Sequence, residues 1–237
     1  MQNKILVFTA TYNEKDTIVP FLLRLYKYNK YNFDLLIVDD NSPDLTYEVI
    51  RKFKLKNKKN LILKLRKNKM GLDTAHKYAF NYAKKKKIKY FITLDSDLSH
   101  DPKKISSFVK ELKKYPVVIG SRYISGGRND LRGFRFFLSY LGNKFIKFLF
   151  NAQQSEFTTS FRGFDLDKIK IDFNKIKSKG YSFFMEIAYL LIKLNYKIKE
   201  IPIIFKVRRH GVSKIDKIEV LRTFFNAFRL FINKMFY

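Results

Sequence analysis

The chain has 237 residues, a formal net charge of +28 at pH 7, 46% hydrophobic residues and no cysteine. This length suits one domain, or one domain with an appendage, and the absence of cysteine excludes disulfide bonds. No uninterrupted apolar run reaches the roughly 18 residues of a membrane-spanning helix, and the N-terminus lacks the apolar stretch of a signal peptide. We therefore expect a soluble or peripheral cytoplasmic protein whose basic surface favours anionic partners.

Strand-like and helix-like segments alternate through the first half of the chain. Buried strands are predicted at residues 4–9, 34–39, 61–65, 90–94 and 117–119, with amphipathic helical patterns between them. This alternation predicts an α/β fold with a mainly parallel central sheet flanked by helices. The sequence contains no Gly-x-Gly-x-x-Gly or Walker motif, so a dinucleotide-binding fold and a P-loop ATPase are both poorly supported.

The helical patterns predict which side chains face the sheet. In the helix before the fourth strand, the predicted inward face is Ala75, Tyr78, Ala79 and Tyr82. Two later helices, at about residues 134–150 and 215–236, each have an aromatic stripe and a basic face. That composition is typical of helices at a membrane interface, but the same stripes could also pack on the sheet as ordinary core.

Polar clusters follow the predicted strands at their carboxyl ends, where open α/β sheets bind ligands. The most informative is Asp95-Ser96-Asp97, which follows the strand at 90–94 and precedes Pro102. Because alternate strand residues share a face, the two carboxylates can aim at one point. They would repel each other there unless a hard cation lay between them. Mg²⁺ and Mn²⁺ bind through one or two carboxylates plus substrate phosphates, so the pair predicts a divalent-metal site.

Several other charged residues near the strand ends have structural alternatives. Asp39 and Asp44 can serve as turn and capping residues, and His100 suits a helix entry. Glu186 suits either a buried carboxylate with its hydrogen bonds satisfied or a catalytic group. Arg122 ends a strand on the same side as the acidic pair, and a functional role is favoured because an unpaired guanidinium there would be costly.

Taken together, these residues resemble glycosyltransferase family 2, and within it the polyprenyl-phosphate mannose synthases. The segments that follow the order and spacing of the family's nucleotide-sugar domain are 11–14, 38–44, 95–100 and 120–123. The subfamily signal lies in residues 160–162, 180–181, 185–186, 200–203 and 211–214. The resemblance implies a GT-A glycosyltransferase domain over residues 1–214 and a C-terminal amphipathic, membrane-interfacial helix over residues 215–237.

The resemblance also implies a role for each matching position. Nucleotide-sugar binding is implied for Ala10, Tyr12, Glu14, Val38, Asp40, Asp95, Ser96, Asp97, Arg122, Arg208 and Lys214. Metal binding is implied for Asp95, Asp97 and Ser99, catalysis for Asp97, Arg122, Arg208 and Lys214, and contact with the acceptor phosphate for Arg122 and Arg135. Ala10 stands where the family usually has Pro, and Leu45 and Asp73 stand where Gly is common. These departures concern base affinity and loop shape, and none touches the metal or phosphate groups.

The implied reaction is inverting transfer of a hexose, with mannose from GDP-mannose favoured, onto a polyprenyl or dolichyl monophosphate. The implied cofactor is Mg²⁺ or Mn²⁺, and the implied partners include a membrane surface. The sequence leaves open whether a separate membrane-anchoring subunit is also a partner. An acceptor phosphate is already ionised near neutral pH, so no strong general base is required. The alternatives are glucosyl transfer from UDP-glucose to the same lipid and sugar transfer to a cell-surface glycan. Nucleic-acid binding is not supported, because the charge is spread along the chain and no recognition module is present.

Overall fold

The computed structural model describes residues 5–28, 30–57, 60–207 and 217–236, with side chains in the last range from 222 to 232. The strands are β1 (Ile5–Thr11), β2 (Asp34–Asp39), β3 (Leu61–Leu65), β4 (Tyr90–Thr93), β5 (Val117–Ser121), β6 (Arg128–Asn129), β7 (Arg162–Asp165), β8 (Ile198–Pro202) and β9 (Ile204–Phe205). The helices are α1 (Lys15–Tyr28), α2 (Thr46–Asn57), α3 (Leu72–Lys85), α4 (Ile105–Leu112), α5 (Gly133–Phe150), α6 (Ser182–Lys193) and α7 (Lys217–Phe236).

Within the described residues, seven strands form one mixed sheet in the order β3-β2-β1-β4-β7-β5-β8, and β6 pairs with β9 beside it. All neighbours in the large sheet are parallel except β7, which is antiparallel to both β4 and β5. The α/β fold with a mainly parallel sheet is thus confirmed. The sequence reading missed β7, because a four-residue strand containing Gly and Asp lacks the usual strand composition.

The reversed direction of β7 places its first residue beside the last residue of β4. In the register of this pair, Arg162 lies opposite Thr93 and Asp165 lies opposite Tyr90. The segment that enters β7 therefore arrives at the carboxyl end of β4, directly beside Asp95 and Asp97. This topology assembles the candidate site from two distant parts of the chain.

Buried apolar side chains form one layer on each face of the sheet. The first lies beneath α1, α2 and α4, and the second beneath α3 and α6. On α3 the buried residues include Ala75, His76, Ala79, Phe80 and Ala83. The predicted inward face was partly wrong, because Tyr78 is 38% exposed. His76 and Phe80 occupy the inward positions, and the Tyr78 ring reaches solvent, as amphipathic side chains commonly do.

Helices α5 and α7 pack beside α6 but leave much aromatic surface exposed. Their shared buried cluster includes Ile146 and Phe150 of α5 and Ala227 and Leu230 of α7. Most side chains of the predicted aromatic stripes face solvent instead. The exposed members are Phe137, Leu141, Phe145 and Phe148 on α5 and Phe224, Phe225, Phe228 and Ile232 on α7. The ordinary-core alternative is therefore wrong for these side chains. In the described part of the chain, no helix combines the length and apolar character needed to cross a bilayer.

The burial of His76 makes the stability of the fold sensitive to acid. The ring lies edge-on to Phe8 and Phe184, with centroids 4.9 and 4.8 Å away, and burial together with the charge of Arg162 lowers the pKa of His76 to about 3. The unfolded chain takes up this proton near its ordinary pKa of 6.5, so the free energy of unfolding falls as the pH drops from 6.5 towards 3.

We expect His76→Phe to remove this component of acid sensitivity. Below pH 6 the wild-type protein should lose about 1.4 kcal/mol per pH unit more than the variant, because a one-unit pKa difference corresponds to that free energy. Urea unfolding at pH 6.5, 5.5 and 4.5 measures the difference. The contributions of the other titrating groups are the same in both proteins and cancel in the comparison. Equal pH slopes for both proteins would show that His76 is not held neutral.

Candidate active site

The acidic pair lies in a tight turn at the carboxyl end of β4. The Asp97 side chain is buried, and its Oδ1 accepts hydrogen bonds from the backbone N–H of Ser99 at 3.0 Å and from the Ser99 hydroxyl at 2.5 Å. Ser96 reaches across to the end of β1, where its hydroxyl donates to the carbonyl of Ala10 at 3.4 Å. Leu98 adopts a positive φ of 64°, which closes the turn. The turn thus places both carboxylates at the sheet edge predicted from the sequence.

The side chain of Asp95 is 28% exposed and is held from two directions. The Ser160 hydroxyl donates to its Oδ1 at 2.6 Å, and the Asp95 backbone N–H donates to Nδ1 of His100 at 3.2 Å. Nε2 of His100 lies 3.3 Å from the Thr159 hydroxyl, and burial lowers the pKa of this histidine against the opposing charges of Asp95 and Asp97. The buried His100 ring therefore supports the turn, which agrees with the structural role considered for it from the sequence.

The chemistry of this donor set fits a divalent cation shared with a phosphate-bearing ligand. Among the described residues, no three His, Asp or Glu side chains cluster closely enough to form a complete metal site. Mg²⁺ commonly binds proteins through only one or two carboxylates, and substrate phosphates complete its coordination. Asp95 and Asp97 supply that number of carboxylates, and oxygen ligands are those that Mg²⁺ and Mn²⁺ prefer.

The residues matched to the nucleotide lie at the carboxyl ends of β1 and β2. Val38 is fully buried beneath α3, and Asp40 is buried beside it on the loop that leaves β2. The Asp40 carboxylate pairs with Arg66 and also accepts the backbone N–H groups of Met70 and Gly71 at 3.1 and 3.0 Å. In this structure Asp40 therefore fixes the loop between β3 and α3.

That loop also brings Lys69 to Tyr12, one of the predicted nucleotide-sugar-binding residues. Nζ of Lys69 lies 4.4 Å from the ring centroid of Tyr12, a cation–π distance. The sequence reasoning missed Arg66 and Lys69. The available signal was their position directly after β3, the same kind of strand end that holds the other polar clusters.

Asp39 and Asp44, for which the sequence suggested turn and capping roles, do act as structural groups. Asp39 is fully buried and accepts hydrogen bonds from the Thr11 hydroxyl at 2.6 Å and from the Ser42 backbone N–H at 2.9 Å. Asp44 accepts the backbone N–H of Thr46 at 3.0 Å, at the start of α2. The next residue, Leu45, adopts a φ of 62°. The loop thus takes a left-handed conformation that favours glycine, although a leucine stands there.

Arg122 follows β5, and a buried carboxylate holds its guanidinium. Its Nε and Nη2 donate to Glu156 at 2.7 Å each, and Nη2 also donates to the Thr158 hydroxyl at 2.9 Å. Burial disfavours the charged form of both groups, but the attraction between them outweighs this effect. Glu156 therefore raises the pKa of Arg122, and Arg122 lowers the pKa of Glu156. The sequence offered no signal for Glu156, which lies 34 residues from its partner.

The remaining predicted site residues are not all brought together. Arg135 is exposed in the first turn of α5. Arg208 and Lys214 lie outside the described residues. Glu186 accepts the backbone N–H groups of Lys177 and Ser178 at 3.2 and 2.8 Å, so it is a satisfied structural carboxylate in α6.

Comparisons with known proteins show which family the chain belongs to. The model of glycosyl transferase family 2 matches residues 6–171. Polyprenol monophosphomannose synthase of Mycolicibacterium smegmatis is 28% identical over 229 residues, which cover 94% of this chain and 85% of that protein. Undecaprenyl-phosphate mannosyltransferase of Micrococcus luteus is 28% identical over 215 residues, which cover 90% of this chain and 88% of that protein.

Solved structures share the fold at lower sequence identity. Glucosyl-3-phosphoglycerate synthase from Mycobacterium tuberculosis, crystallised with Mn²⁺, UDP and phosphoglyceric acid, superposes with a TM-score of 0.69 at 14% identity, covering 97% of this chain and 78% of that one. Residues 1–349 of S. aureus TarS with UDP-GlcNAc give a TM-score of 0.62 at 18% identity, covering 96% and 65%. The expected GT-A-type fold is confirmed.

Removal of one partner from the Arg122–Glu156 pair should destabilise the protein strongly. We expect Glu156→Gln to cost about 3–5 kcal/mol, because it leaves a guanidinium buried without its counter-charge. Equilibrium urea unfolding gives the free energy of unfolding. The matched control is Glu48→Gln, which breaks the exposed Glu48–Arg51 pair and should cost no more than about 0.5 kcal/mol. If both variants lost a similarly small amount of unfolding free energy, a structural role for the buried pair would be contradicted.

Proposed function

Because this chain belongs to glycosyltransferase family 2, we propose that it transfers a hexose from a nucleoside-diphosphate donor onto a polyprenyl monophosphate. That it is a glycosyltransferase follows from the family and from its mannosyltransferase relatives. The observation that carries the acceptor proposal is the similarity over nine-tenths of the chain to two proteins named for transfer to polyprenol or undecaprenyl phosphate. The acidic pair at the end of β4 supports the proposal of a nucleoside-diphosphate donor.

Mannose is the sugar we propose, with GDP-mannose as its donor. Both relatives at 28% identity are named for mannose, whereas the solved structures that contain UDP or UDP-GlcNAc share only the fold with this chain. UDP-glucose with the same lipid acceptor is the second candidate. Its support is the uridine nucleotide bound by the structural neighbours.

Asp95 and Asp97 are the residues that would hold Mg²⁺ or Mn²⁺, and the neighbour crystallised with Mn²⁺ and UDP supports that cofactor. Such a cation, when bound, neutralises charge on the diphosphate leaving group. The guanidinium of Arg122 would add preorganised N–H dipoles to the same site, while Glu156 holds it in place and offsets its charge. Preorganised donors aimed at developing negative charge stabilise a transition state without reorganisation.

In the proposed reaction, an acceptor phosphate oxygen forms the new bond to the anomeric carbon as the bond to the nucleoside diphosphate breaks. The leaving group departs as an anion, and the acceptor oxygen is already ionised, so no general base is needed. Attack from the face opposite the leaving group inverts the anomeric configuration. Proton NMR of the product linkage tests this, and retention of the donor's configuration would exclude the mechanism.

We also propose that α5 and α7 contact the membrane in which the acceptor lipid lies. Phe148 of α5 and Phe225 of α7 are 82% and 75% exposed, and the rings of Phe145 and Phe224 lie 5.4 Å apart across the two helices. The two exposed stripes thus meet in one surface. An aromatic face with neighbouring Lys and Arg residues is typical of helices that lie in a bilayer interface. The cytoplasmic face of the membrane is part of this proposal.

The donor and metal assignments predict a clear pattern of turnover. With polyprenyl phosphate and Mn²⁺ or Mg²⁺, we expect radiolabelled lipid product from GDP-mannose and little from UDP-glucose. Asp97→Ala should lower turnover at least about 100-fold, because loss of a group that balances transition-state charge costs that much in other enzymes. Extraction of the lipid phase and counting of the label measure both effects.

The controls separate loss of activity from loss of the fold. Asp167→Ala removes an exposed carboxylate after β7, so this variant should retain full activity. Circular dichroism of Asp97→Ala should match the wild type. Full turnover after exhaustive chelation would defeat the metal proposal, and transfer from UDP-glucose alone would favour the second candidate.

The membrane surface can be tested with lipid vesicles. The double change Phe148→Ser and Phe225→Ser should lower the partition coefficient onto anionic vesicles about tenfold or more. Full burial of one phenylalanine contributes about 1.5–3 kcal/mol, so even partial burial of two rings accounts for such a change. Co-sedimentation measures binding. Leu55→Ser, on α2 and 79% exposed, is the matched control and should bind like the wild type.

Salt distinguishes the two components of this binding. Basic residues gain roughly 1 kcal/mol each near an anionic leaflet, and higher ionic strength screens this attraction. High salt should therefore weaken wild-type binding without abolishing the aromatic component. Failure to co-sediment at both low and high salt would overturn the proposed membrane contact.

A further inference from the structure

The segment 155–160, which joins α5 to β7, is hydrogen-bonded along its length. The contacts to its backbone from outside the segment include the Ser155 N–H, which donates to Oε2 of Glu200 at 3.0 Å, and the Phe157 N–H, which donates to Oδ1 of Asn143 at 2.8 Å. Arg162 donates from Nη2 to the Phe157 carbonyl at 2.7 Å and from Nε to the Thr159 carbonyl at 2.9 Å. Within the segment, Oε1 of Glu156 accepts the N–H groups of Thr158 and Thr159 at 3.1 and 3.2 Å. These protein groups therefore hold the segment in one conformation before any ligand binds.

This anchoring extends to Ser160, the last residue before Phe161 and β7. Ser160 is buried, and its carbonyl accepts a hydrogen bond from the Thr93 hydroxyl at the end of β4. Its own hydroxyl donates to Oδ1 of Asp95 at 2.6 Å. A short bond from a hydroxyl to a carboxylate is stronger than a bond between neutral groups. Ser160 thus fixes the rotation of the Asp95 carboxylate.

The second oxygen of Asp95 is in a different environment. Its Oδ2 lies 3.5 Å from Nδ1 of His100, whereas the Asp95 backbone N–H approaches the same ring nitrogen at 3.2 Å. Among the described residues, no hydrogen-bond donor to this oxygen is found. One oxygen of Asp95 is consequently held by Ser160, and the other retains its lone pairs on a side chain that is partly exposed.

From this arrangement we propose that Ser160 is a positioning residue for the divalent cation: its hydroxyl orients Asp95 so that Oδ2 faces the cation. This inference rests on the metal-dependent function proposed above and goes beyond it, because it assigns cation affinity to a residue that is not itself a ligand. Hydrogen bonds to a coordinating carboxylate generally set its orientation, and their loss commonly costs 10–100-fold in metal affinity or activity.

The test measures Mn²⁺ binding directly in the full-length protein. In the presence of GDP, and separately of UDP, electron paramagnetic resonance of free Mn²⁺ gives the dissociation constant. Ser160→Ala should raise it about tenfold or more. Ser106→Ala is the matched control, since it removes a buried α4 hydroxyl that has no hydrogen-bond partner among the residues that the structure describes, and it should leave the affinity unchanged.

A second pair of variants separates the hydroxyl from its packing. Thr and Val have nearly the same shape, so Ser160→Thr should bind Mn²⁺ at least about tenfold more tightly than Ser160→Val if the hydrogen bond matters. Equal affinities within this pair, or a wild-type affinity in Ser160→Ala, would overturn the inference while the metal-dependent function stands. If wild-type protein binds no Mn²⁺ with either nucleotide, both the inference and the metal assignment fail.

Discussion

The antiparallel insertion of β7 between β4 and β5 is the constraint on which the candidate site depends. A parallel strand at this position would deliver its preceding segment to the opposite edge of the sheet. Because β7 is reversed, Arg162 lies opposite Thr93, and residues 155–160 arrive beside the acidic pair. Two regions more than 60 residues apart in the chain thereby form one hydrogen-bonded unit, in which Ser160 contacts Asp95. Without this reversal, the Asp-x-Asp turn would have no support on that side.

Buried charges around the site are paired before any ligand is present. Glu156 holds Arg122 through two bonds of 2.7 Å, and Asp40 pairs with Arg66 at the neighbouring strand ends. Isolated buried charges are costly, so such pairs fix both side chains in one arrangement. The Asp95 carboxylate differs from these pairs, because it is partly exposed and its Oδ1 is bonded to the Ser160 hydroxyl. That contrast separates the ion pairs that build the site from the acidic pair to which we assign the cation.

Helix α5 connects the exposed aromatic surface to the site through its opposite face. Asn143 is buried and accepts the backbone N–H of Phe157, within the segment that supports Asp95, while Phe148 on the same helix is exposed. The same helix therefore carries part of the exposed aromatic surface and a hydrogen bond to the segment that contacts Asp95. The exposed apolar side chains of α5 and α7 are the kind of patch that marks an interaction surface rather than a core.

The amino-acid sequence alone determined the alternation of strands and helices, the Asp-x-Asp turn at the end of β4 and the family resemblance, because these depend on residues close together in the chain. It left open which faces of α5 and α7 are buried, since apolar side chains lie on more than one side of each helix. It also gave no means of finding β7 or pairing Arg122 with Glu156. Those features were decided by the tertiary structure, because contacts between distant residues depend on strand order and direction, which no local pattern encodes.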